Sequence, residues 1–133
     1  MKIGLDIHGV IDRFAFLRDL ATLLVSNGHE VHVITGAPWS AVSDGIFTHE
    51  GIAEYLASHG FVLGVNYTHF YSIIDHHRSN GTKVYCDANG CWLDNDIWNS
   101  AKANYCRDMG IDLHLDDSAS YAKLFTTPVA VIS

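Results

Sequence analysis

Hydrophobic residues near the N-terminus follow two different spacings. Short apolar runs at 2–6 and 31–35 are rich in Ile, Leu and Val, which is typical of buried strands in parallel sheets. Between them, apolar residues recur at the spacing of one helix face, at Phe14, Leu17, Leu20, Ala21 and Leu24. Asp12 can cap the start of this helix and Gly28 can end it. The pattern therefore predicts a β-α-β unit with the usual right-handed crossover.

A second helix and a second pair of strands follow in the last third of the chain. Apolar side chains share one helical face, which Gly110 closes, at Trp98, Ala101, Tyr105 and Met109. Residues 111–115 predict a strand, a short helical stretch follows at 121–125, and VAVI at 129–132 predicts a final strand. Because both ends of the chain have strands, turns and helices in alternation, the sequence predicts an open α/β sheet.

The middle of the chain is less regular. We expect one or two helices between Ser43 and Gly60, a strand at 67–73, and a hairpin at 83–93 that turns near Asn89 and Gly90. No internal repeat, low-complexity tract or Pro/Gly linker marks a boundary. The prediction is therefore a single domain, 1–133, in which 37–95 forms an insertion with a helix and a hairpin rather than a separate domain.

The composition permits a folded domain and argues against some partners. The chain has 133 residues, 48% of them hydrophobic, and fifteen acidic against eight basic residues give a formal net charge of −7. We expect a substantial core, but no extended binding to nucleic acid, because neutralising many phosphates needs a Lys/Arg patch. No signal-peptide pattern or membrane-length apolar run is present. The prediction is a soluble, cytoplasmic protein with no membrane partner, whose oligomeric state is left open.

The cysteines are expected to stay reduced, because their number is odd and no secretory signal precedes them. Cys86 and Cys91, with His76 and His77 nearby, offer an alternative zinc site, but only one Cys pair exists and its spacing argues against structural zinc. The sequence therefore predicts neither a structural zinc site nor a disulfide. The other histidines outside position 8 share no spacing and are expected at surface or strand-flanking positions: His29, His32, His49, His59, His69 and His114.

Polar side chains follow the predicted strands where they end. Asp6 follows the first strand, Thr35 ends the second, and Asp116 and Asp117 follow a later one. Ligands of open parallel sheets bind outside the carboxyl ends of the strands, so we expect these groups to meet at one rim, together with Lys102. Each Asp or Thr alone is also a common turn former or helix cap. Their coincidence favours a functional site.

Four segments resemble, in the right order, the motifs of the haloacid dehalogenase-like (HAD) superfamily. They are IGLDIHGVID at 3–12, VITG at 33–36, Lys102, and LHLDDS at 113–118. The resemblance spans the chain, fits 37–95 least well, and rests mainly on the early Asp-x-x-Gly-Val and the acid-acid-Ser element. It implies a Rossmann-like open parallel sheet with helices on both faces, and the activity of a Mg²⁺-dependent phosphatase.

The resemblance also implies a role for each matching residue. Asp6 would be the nucleophile that forms an aspartyl-phosphate. Thr35 and Gly36 would bind the phosphoryl group, and Lys102 would stabilise the charge that develops on it. Mg²⁺ prefers oxygen ligands, which would come from Asp6, the backbone carbonyl of His8, Asp116 and Asp117.

Position 8 departs from the superfamily pattern. Phosphatases of this superfamily usually carry a second Asp two residues after the nucleophile, which protonates the leaving group and then activates water. This chain has His8 there, and an imidazole can move the same protons. We therefore expect His8 to be catalytic. The alternative is a catalytically degenerate HAD-like protein that binds ligands or regulates.

The expected substrate is a small soluble phosphomonoester. A nucleotide and the phosphorylated end of a nucleic acid are both candidates, because the short segment 37–95 leaves the site fairly open. Aromatic residues cluster in that segment, where the superfamily places substrate-covering insertions, although core packing explains them equally well. Asp12 is expected to cap a helix rather than to join the site, and the acidic run at 94–96 is expected to begin the helix that carries Trp98.

Overall fold

The computed structural model describes residues 1–133, which form nine strands and four α-helices. The strands are β1 (Lys2–Leu5), β2 (Glu30–Thr35), β3 (Val42–Ser43), β4 (Thr48–His49), β5 (His69–Ser72), β6 (Tyr85–Asp87), β7 (Gly90–Trp92), β8 (Leu113–Asp116) and β9 (Val129–Val131). The helices are α1 (Phe16–Ser26), α2 (Ala53–Ser58), α3 (Ile73–Ser79) and α4 (Asn95–Met109). None of these helices has both the length and the hydropathy of a bilayer-spanning segment.

Five strands form one parallel sheet in the order β5-β2-β1-β8-β9. The predicted α/β class with an open parallel sheet is therefore confirmed. Strand β1 lies at the centre, between β2 and β8. Because the strands are parallel, the residues that follow these three central strands lie side by side, at the carboxyl ends of the strands.

Each face of the sheet is covered by its own pair of helices. Alternate residues of a strand point to opposite faces, and the two resulting apolar clusters are separate. Helices α1 and α2 pack on one face, in a cluster that includes Ile3, Leu5, Val31, Val33, Ala21 and Leu56. Helices α3 and α4 pack on the other face, in a cluster that includes Ile34, Tyr71, Ile73, Ile74, Ala101 and Cys106.

The two long helices begin in different ways. Helix α4 starts after Asp94, whose carboxylate accepts a hydrogen bond from the backbone N–H of Asp96 at 3.0 Å, and it ends at left-handed Gly110, as predicted. Helix α1 starts four residues later than Asp12, and its N-terminal residue has no side-chain cap. The predicted capping role of Asp12 is therefore wrong. Residues 7–11 form an irregular helical turn after β1, and Asp12 closes that turn instead.

The middle segment contains one helix between Ser43 and Gly60, where one or two were predicted, and a short hairpin precedes it. Strands β3 and β4 pair antiparallel before α2 begins. Strand β5, expected at 67–73, pairs with β2 in the main sheet, so part of 37–95 belongs to the central sheet rather than to an insertion. Helix α3 was not predicted. The side chain of Ser72 caps it by accepting a hydrogen bond from the backbone N–H of Asp75 at 3.1 Å.

Cys86 and Cys91 form a disulfide across the β6–β7 hairpin, contrary to the expectation of reduced thiols. The hairpin was predicted, and its register sets Cys86 directly opposite Cys91, with the α-carbons 4.0 Å apart. The two sulfur atoms are bonded to each other and are not available as zinc ligands. Cys106 is a free thiol in the core, as expected. The odd cysteine count therefore no longer argues for a reducing compartment.

Candidate active site

The predicted residues meet at the carboxyl ends of the three central strands. Asp6 follows β1, Thr35 ends β2, and Asp116 ends β8. Each is buried, with 7%, 1% and 2% of its surface exposed. The backbone N–H of Asp6 donates to the carbonyl of Leu115 at 3.0 Å, which ties the end of β1 to β8. Carboxylates are rarely this buried without a positively charged partner, so Asp6 and Asp116 need a cation close to them.

Lys102 of α4 supplies the positive charge. Its Nζ lies 3.1 Å from Oδ2 of Asp6 and donates to Oδ2 of Asp116 at 3.0 Å. The residue is only 8% exposed. Helix α4 packs on one face of the sheet and directs this ammonium group between two neighbouring strand ends. The sequence predicted the convergence of these three residues, and the structure confirms it.

Asp116 has three hydrogen-bond donors around its carboxylate. Besides Lys102, the Nε2 of His114 lies 3.0 Å from Oδ2, and the backbone N–H of Ser118 donates to Oδ1 at 3.0 Å. His114 is fully buried, contrary to the expected surface or strand-flanking position. Its contact with Asp116 was missed, although the two residues lie two apart in one strand and so point to the same face.

Burial and the neighbouring charges shift the pKa values of Asp6, Lys102 and Asp116. Burial raises the pKa of Asp6, and the attraction of Lys102 offsets this only in part. Burial also acts to raise the pKa of Asp116, but the hydrogen bonds from His114 and Lys102 and the positive charge of Lys102 outweigh it and lower that pKa. Burial acts to lower the pKa of Lys102, whereas the carboxylates of Asp6 and Asp116 raise it. Lys102 is therefore charged at neutral pH.

His8 lies at the open side of this group, and Asp12 holds it. Its Nδ1 lies 3.3 Å from Oδ2 of Asp12, which also accepts a hydrogen bond from the hydroxyl of Tyr55 at 2.8 Å. Hydrogen bonds from Tyr55, Gly9 and His8 overcome the effect of burial and lower the pKa of Asp12, so it is a carboxylate. Only the Nδ1–H form of His8 can donate to it, which leaves Nε2 free. Sequence reasoning missed Asp12 and Tyr55 here, although the i, i+4 spacing of His8 and Asp12 was available.

Two glycines allow close approaches at the site. Gly9 has φ +79°, and a Cβ at this position would overlap the carboxylate of Asp117. A Cβ at Gly36 would lie 2.6 Å from the indole ring of Trp98. Any larger residue would therefore displace Asp117 or Trp98. Both glycines belong to the segments singled out in the sequence.

A cavity of about 410 Å³ opens above these residues. The predicted residues Asp6, His8, Thr35, Gly36, Lys102 and Asp117 line it. Asp116 does not reach the wall and lies behind Lys102. The rest of the wall includes His49, Glu50, Asn89, Trp92, Trp98 and Tyr121. Two of these six, Asn89 and Trp92, belong to the disulfide-bonded hairpin, so the predicted insertion contributes the outer rim.

Two contacts hold the hairpin over the site. His49 of β4 is hydrogen-bonded to the carbonyl of Asp87. The backbone N–H of Cys86 donates to Oδ2 of Asp44 at 2.9 Å. The β3–β4 hairpin therefore supports the β6–β7 hairpin from the side.

The acidic residues have the donor set of a divalent cation site. Asp6, Asp116 and Asp117 each offer a carboxylate oxygen within 4.8 Å of the others. Three carboxylates face one ammonium group, so the cluster carries excess negative charge when all are ionised. A divalent cation would neutralise that excess, and oxygen ligands suit Mg²⁺. The backbone turn at His8 lies beside the same cluster.

Comparison of the chain with protein-family models, with curated proteins and with solved structures finds no match.

Proposed function

We propose that this protein is a Mg²⁺-dependent phosphomonoester phosphatase of the HAD type. The observation that carries the proposal is the buried Asp6–Lys102–Asp116 ion group at the ends of two adjacent parallel strands, with Asp117 beside it at the cavity wall. A structural ion pair needs only two partners and no cavity. Here an additional carboxylate, a hydroxyl and a histidine surround an opening large enough for a small ligand.

In the first step, a carboxylate oxygen of Asp6 attacks the phosphorus atom of the substrate. The bond from phosphorus to the ester oxygen breaks, and an aspartyl-phosphate forms. Lys102 stabilises the negative charge on the transferring group, and the Thr35 hydroxyl hydrogen-bonds one of its oxygens. In the second step, water attacks the phosphorus atom, inorganic phosphate leaves, and the carboxylate of Asp6 is restored.

His8 moves the protons of both steps. Its protonated imidazole gives a proton to the leaving ester oxygen, and the neutral imidazole then accepts one from the attacking water. Asp12 supports this role, because its carboxylate binds Nδ1–H and leaves Nε2 as the nitrogen that exchanges protons. Tyr55 fixes Asp12 in turn. The replacement of the usual carboxyl group by His8 is thus accompanied by an acidic partner for the imidazole.

Mg²⁺ would be held by the carboxylates of Asp6 and Asp117 and the backbone carbonyl of His8. Asp116, which lies within 4.8 Å of the other two carboxylates but does not line the cavity, would hold the ion from the protein side. When bound, it supplies positive charge that offsets the repulsion between Asp6 and an anionic substrate. Asp116 also orients Lys102, which donates a hydrogen bond to its Oδ2. His114 and Ser118 hold Asp116 in its orientation.

The outer cavity favours a substrate that carries an aromatic ring. The rings of Trp92 and Trp98 lie 5.3 Å apart at its wall, and Trp92 is 40% exposed. Stacking on an aromatic side chain is worth about 1–3 kcal/mol per nucleobase. Lys102 is the only Lys or Arg at the wall, so a long polyphosphate or nucleic-acid backbone finds no further cationic partner. A nucleoside monophosphate satisfies both conditions.

The activity is tested with an aryl phosphate and a series of nucleoside monophosphates in the presence of Mg²⁺. Asp6→Asn should lower kcat by several orders of magnitude, because the amide is not a nucleophile. Asp108→Asn on the exposed end of α4 is the matched control and should retain activity. A loss below about tenfold for Asp6→Asn, which is only about 1.4 kcal/mol in barrier, would contradict the assignment.

The role of His8 is tested separately by leaving-group dependence. His8→Ala should slow the hydrolysis of alkyl phosphates strongly, and that of nitrophenyl phosphate much less, because nitrophenolate leaves without a proton. His8→Asp, which restores the carboxyl group usual in the superfamily, should retain activity. If the wild type is inactive on the whole panel while Mg²⁺ still binds, the protein is a non-catalytic binding or regulatory member instead.

A further inference from the structure

A second cluster of ligating side chains lies at the opposite end of the sheet. Glu30 and His32 of β2 face His69 of β5, which is the register partner of His32. The Nε2 of His32 lies 3.6 Å from Oε2 of Glu30, and the Nε2 of His69 lies 3.9 Å from Oε1. All three residues offer a ligand atom within 4.8 Å of the others. Two imidazoles and one carboxylate form a donor set that suits zinc.

Two buried atoms of this cluster have no hydrogen bond. They are the Nε2 of His32, a residue with 0% exposure, and the Oε2 of Glu30, which has only an ion pair with Lys2 at 3.4 Å. A buried polar atom without a partner costs free energy, so native proteins rarely leave one. Here the two such atoms face each other across a gap too wide for a hydrogen bond. A small cation between them would give His32 a partner and Glu30 a closer one than Lys2.

The other ring nitrogens are already occupied. The Nδ1 of His69 lies 2.8 Å from the hydroxyl of Thr68, which donates its single proton to the carbonyl of Val31 at 3.1 Å. Thr68 therefore accepts from Nδ1–H, and the Nε2 of neutral His69 carries a lone pair. The Nδ1 of His32 lies 2.7 Å from the hydroxyl of Tyr105. Such outer hydrogen bonds are what orients histidine ligands at metal sites.

We propose that Glu30, His32 and His69 bind one Zn²⁺ ion, with solvent in the fourth position. Tetrahedral coordination at roughly 2.0–2.1 Å needs ligand atoms about 3.3–3.4 Å apart, a few tenths of an ångström less than the two distances here. The rings of His32 and His69 are stacked at 4.2 Å and nearly parallel, so their lone pairs do not yet converge. Half-exposed His69 turns toward the ion, whereas buried His32 stays in place.

Lys2 sets the affinity of this site. Its Nζ lies 3.4 Å from Oε2 of Glu30 and also donates to the carbonyl of Met109 at 3.1 Å. The ammonium group opposes a cation at Glu30, but Lys2 is half-exposed and has an alternative acceptor. Removing its charge should therefore strengthen metal binding, an effect that a non-specific surface site elsewhere would not show.

The site is independent of the candidate active site. Glu30 begins β2 and Thr35 ends it, so about 16 Å of strand separate these two residues, and His32 lies three residues, about 10 Å, from Thr35. Zinc here would link β2 to the edge strand β5, which no other strand covers. Its role is to hold the edge of the sheet. The sequence predicted no structural zinc from the cysteine spacing, and it placed His32 and His69 at surface or strand-flanking positions because the histidines share no spacing. His32 is instead fully buried.

The test is a metal titration of the tag-free 133-residue chain in an Asp6→Asn background, which removes one carboxylate of the other cluster. Co²⁺ is the spectroscopic probe, because tetrahedral coordination gives intense visible absorption, and Zn²⁺ is then added to displace it. One equivalent of Co²⁺ should produce the tetrahedral spectrum. Zinc should also raise the thermal midpoint, since it binds only the folded site.

Three variants and one control decide the outcome. His69→Gln should lower zinc affinity on the order of 100-fold, and Tyr105→Phe, which removes an outer hydrogen bond, about tenfold. Lys2→Gln should raise the affinity. His29→Gln, next to Glu30 and near the N-terminal amine, is the matched control and should change nothing. The proposal is wrong if zinc does not bind, if His69→Gln binds it as tightly as the parent protein, or if only His29→Gln abolishes binding.

Discussion

Replacing Lys102 with methionine tests the electrostatics of the candidate active site. Methionine keeps an unbranched side chain of similar length but removes the charge. The ammonium group lies 3.1 Å from Asp6 and 3.0 Å from Asp116, and all three residues are at most 8% exposed. Its loss leaves two buried carboxylates without a cation. Removing one partner of a buried ion pair costs about 3–5 kcal/mol.

The measurement is urea unfolding at neutral pH with a chelator, so that no divalent ion replaces the lost charge. The Lys102→Met variant should have its free energy of unfolding lowered by about 3–5 kcal/mol. Asp116→Asn should also destabilise, because Lys102 loses one partner. The double variant should lose less than the sum of the two, since each substitution removes the charge that the other leaves unpaired. Coupling between contacting residues is typically 0.5–3 kcal/mol.

The control is Lys123→Met at an exposed lysine, which should change stability by less than about 0.5 kcal/mol. Added Mg²⁺ should restore part of the stability of Lys102→Met but not of the control. Strict additivity in the double variant, or a loss from Lys102→Met no larger than that of the control, would show that the three residues do not interact in the folded protein as described.

Three further predictions concern buried Cys106, the disulfide of the β6–β7 hairpin, and the acidic cluster of Asp6, Asp116 and Asp117. Burial raises the pKa of Cys106 from 9.0 to about 12, so stability should fall by up to about 1.4 kcal/mol per pH unit between pH 9 and 10, where the unfolded thiol ionises and the folded one does not; Cys106→Ala should remove this slope from urea unfolding curves, whereas the fall above pH 10 should persist, because burial also raises the pKa values of Tyr71 and Tyr105 to about 12. Cys91→Ser should cost about 2 kcal/mol in unfolding free energy, because the short closed loop restrains the unfolded chain, and reducing agent should produce the same loss in the wild type but not in the variant. Gly9→Ala should weaken Mg²⁺ binding in calorimetry by displacing Asp117, whereas Gly64→Ala, also at positive φ but with open space around it, should leave it unchanged.

The local sequence determined the elements of the main sheet. Apolar runs at strand spacing and apolar stripes at helix spacing correctly indicated β1, β2, α1 and α4. The spacing of the buried side chains indicates both the type of each element and which of its faces packs into the core. The residues after the strands could be assigned to one site from the same pattern, since parallel strands end at a common edge. Asp6, Thr35, Lys102 and Asp117 meet at one cavity for that reason.

Contacts between distant segments required the tertiary structure. Asp12 looks like a helix cap in the sequence, but the turn at 7–11 brings it to His8, and Tyr55 reaches it from α2. The disulfide depends on hairpin register: Cys86 and Cys91 are opposite only when the turn falls at 88–89. Glu30 and His32 meet His69 because β5 joins the sheet beside β2, 37 residues later along the chain. Spacing along a chain reports which face a side chain occupies, whereas strand order and register decide which side chain it meets.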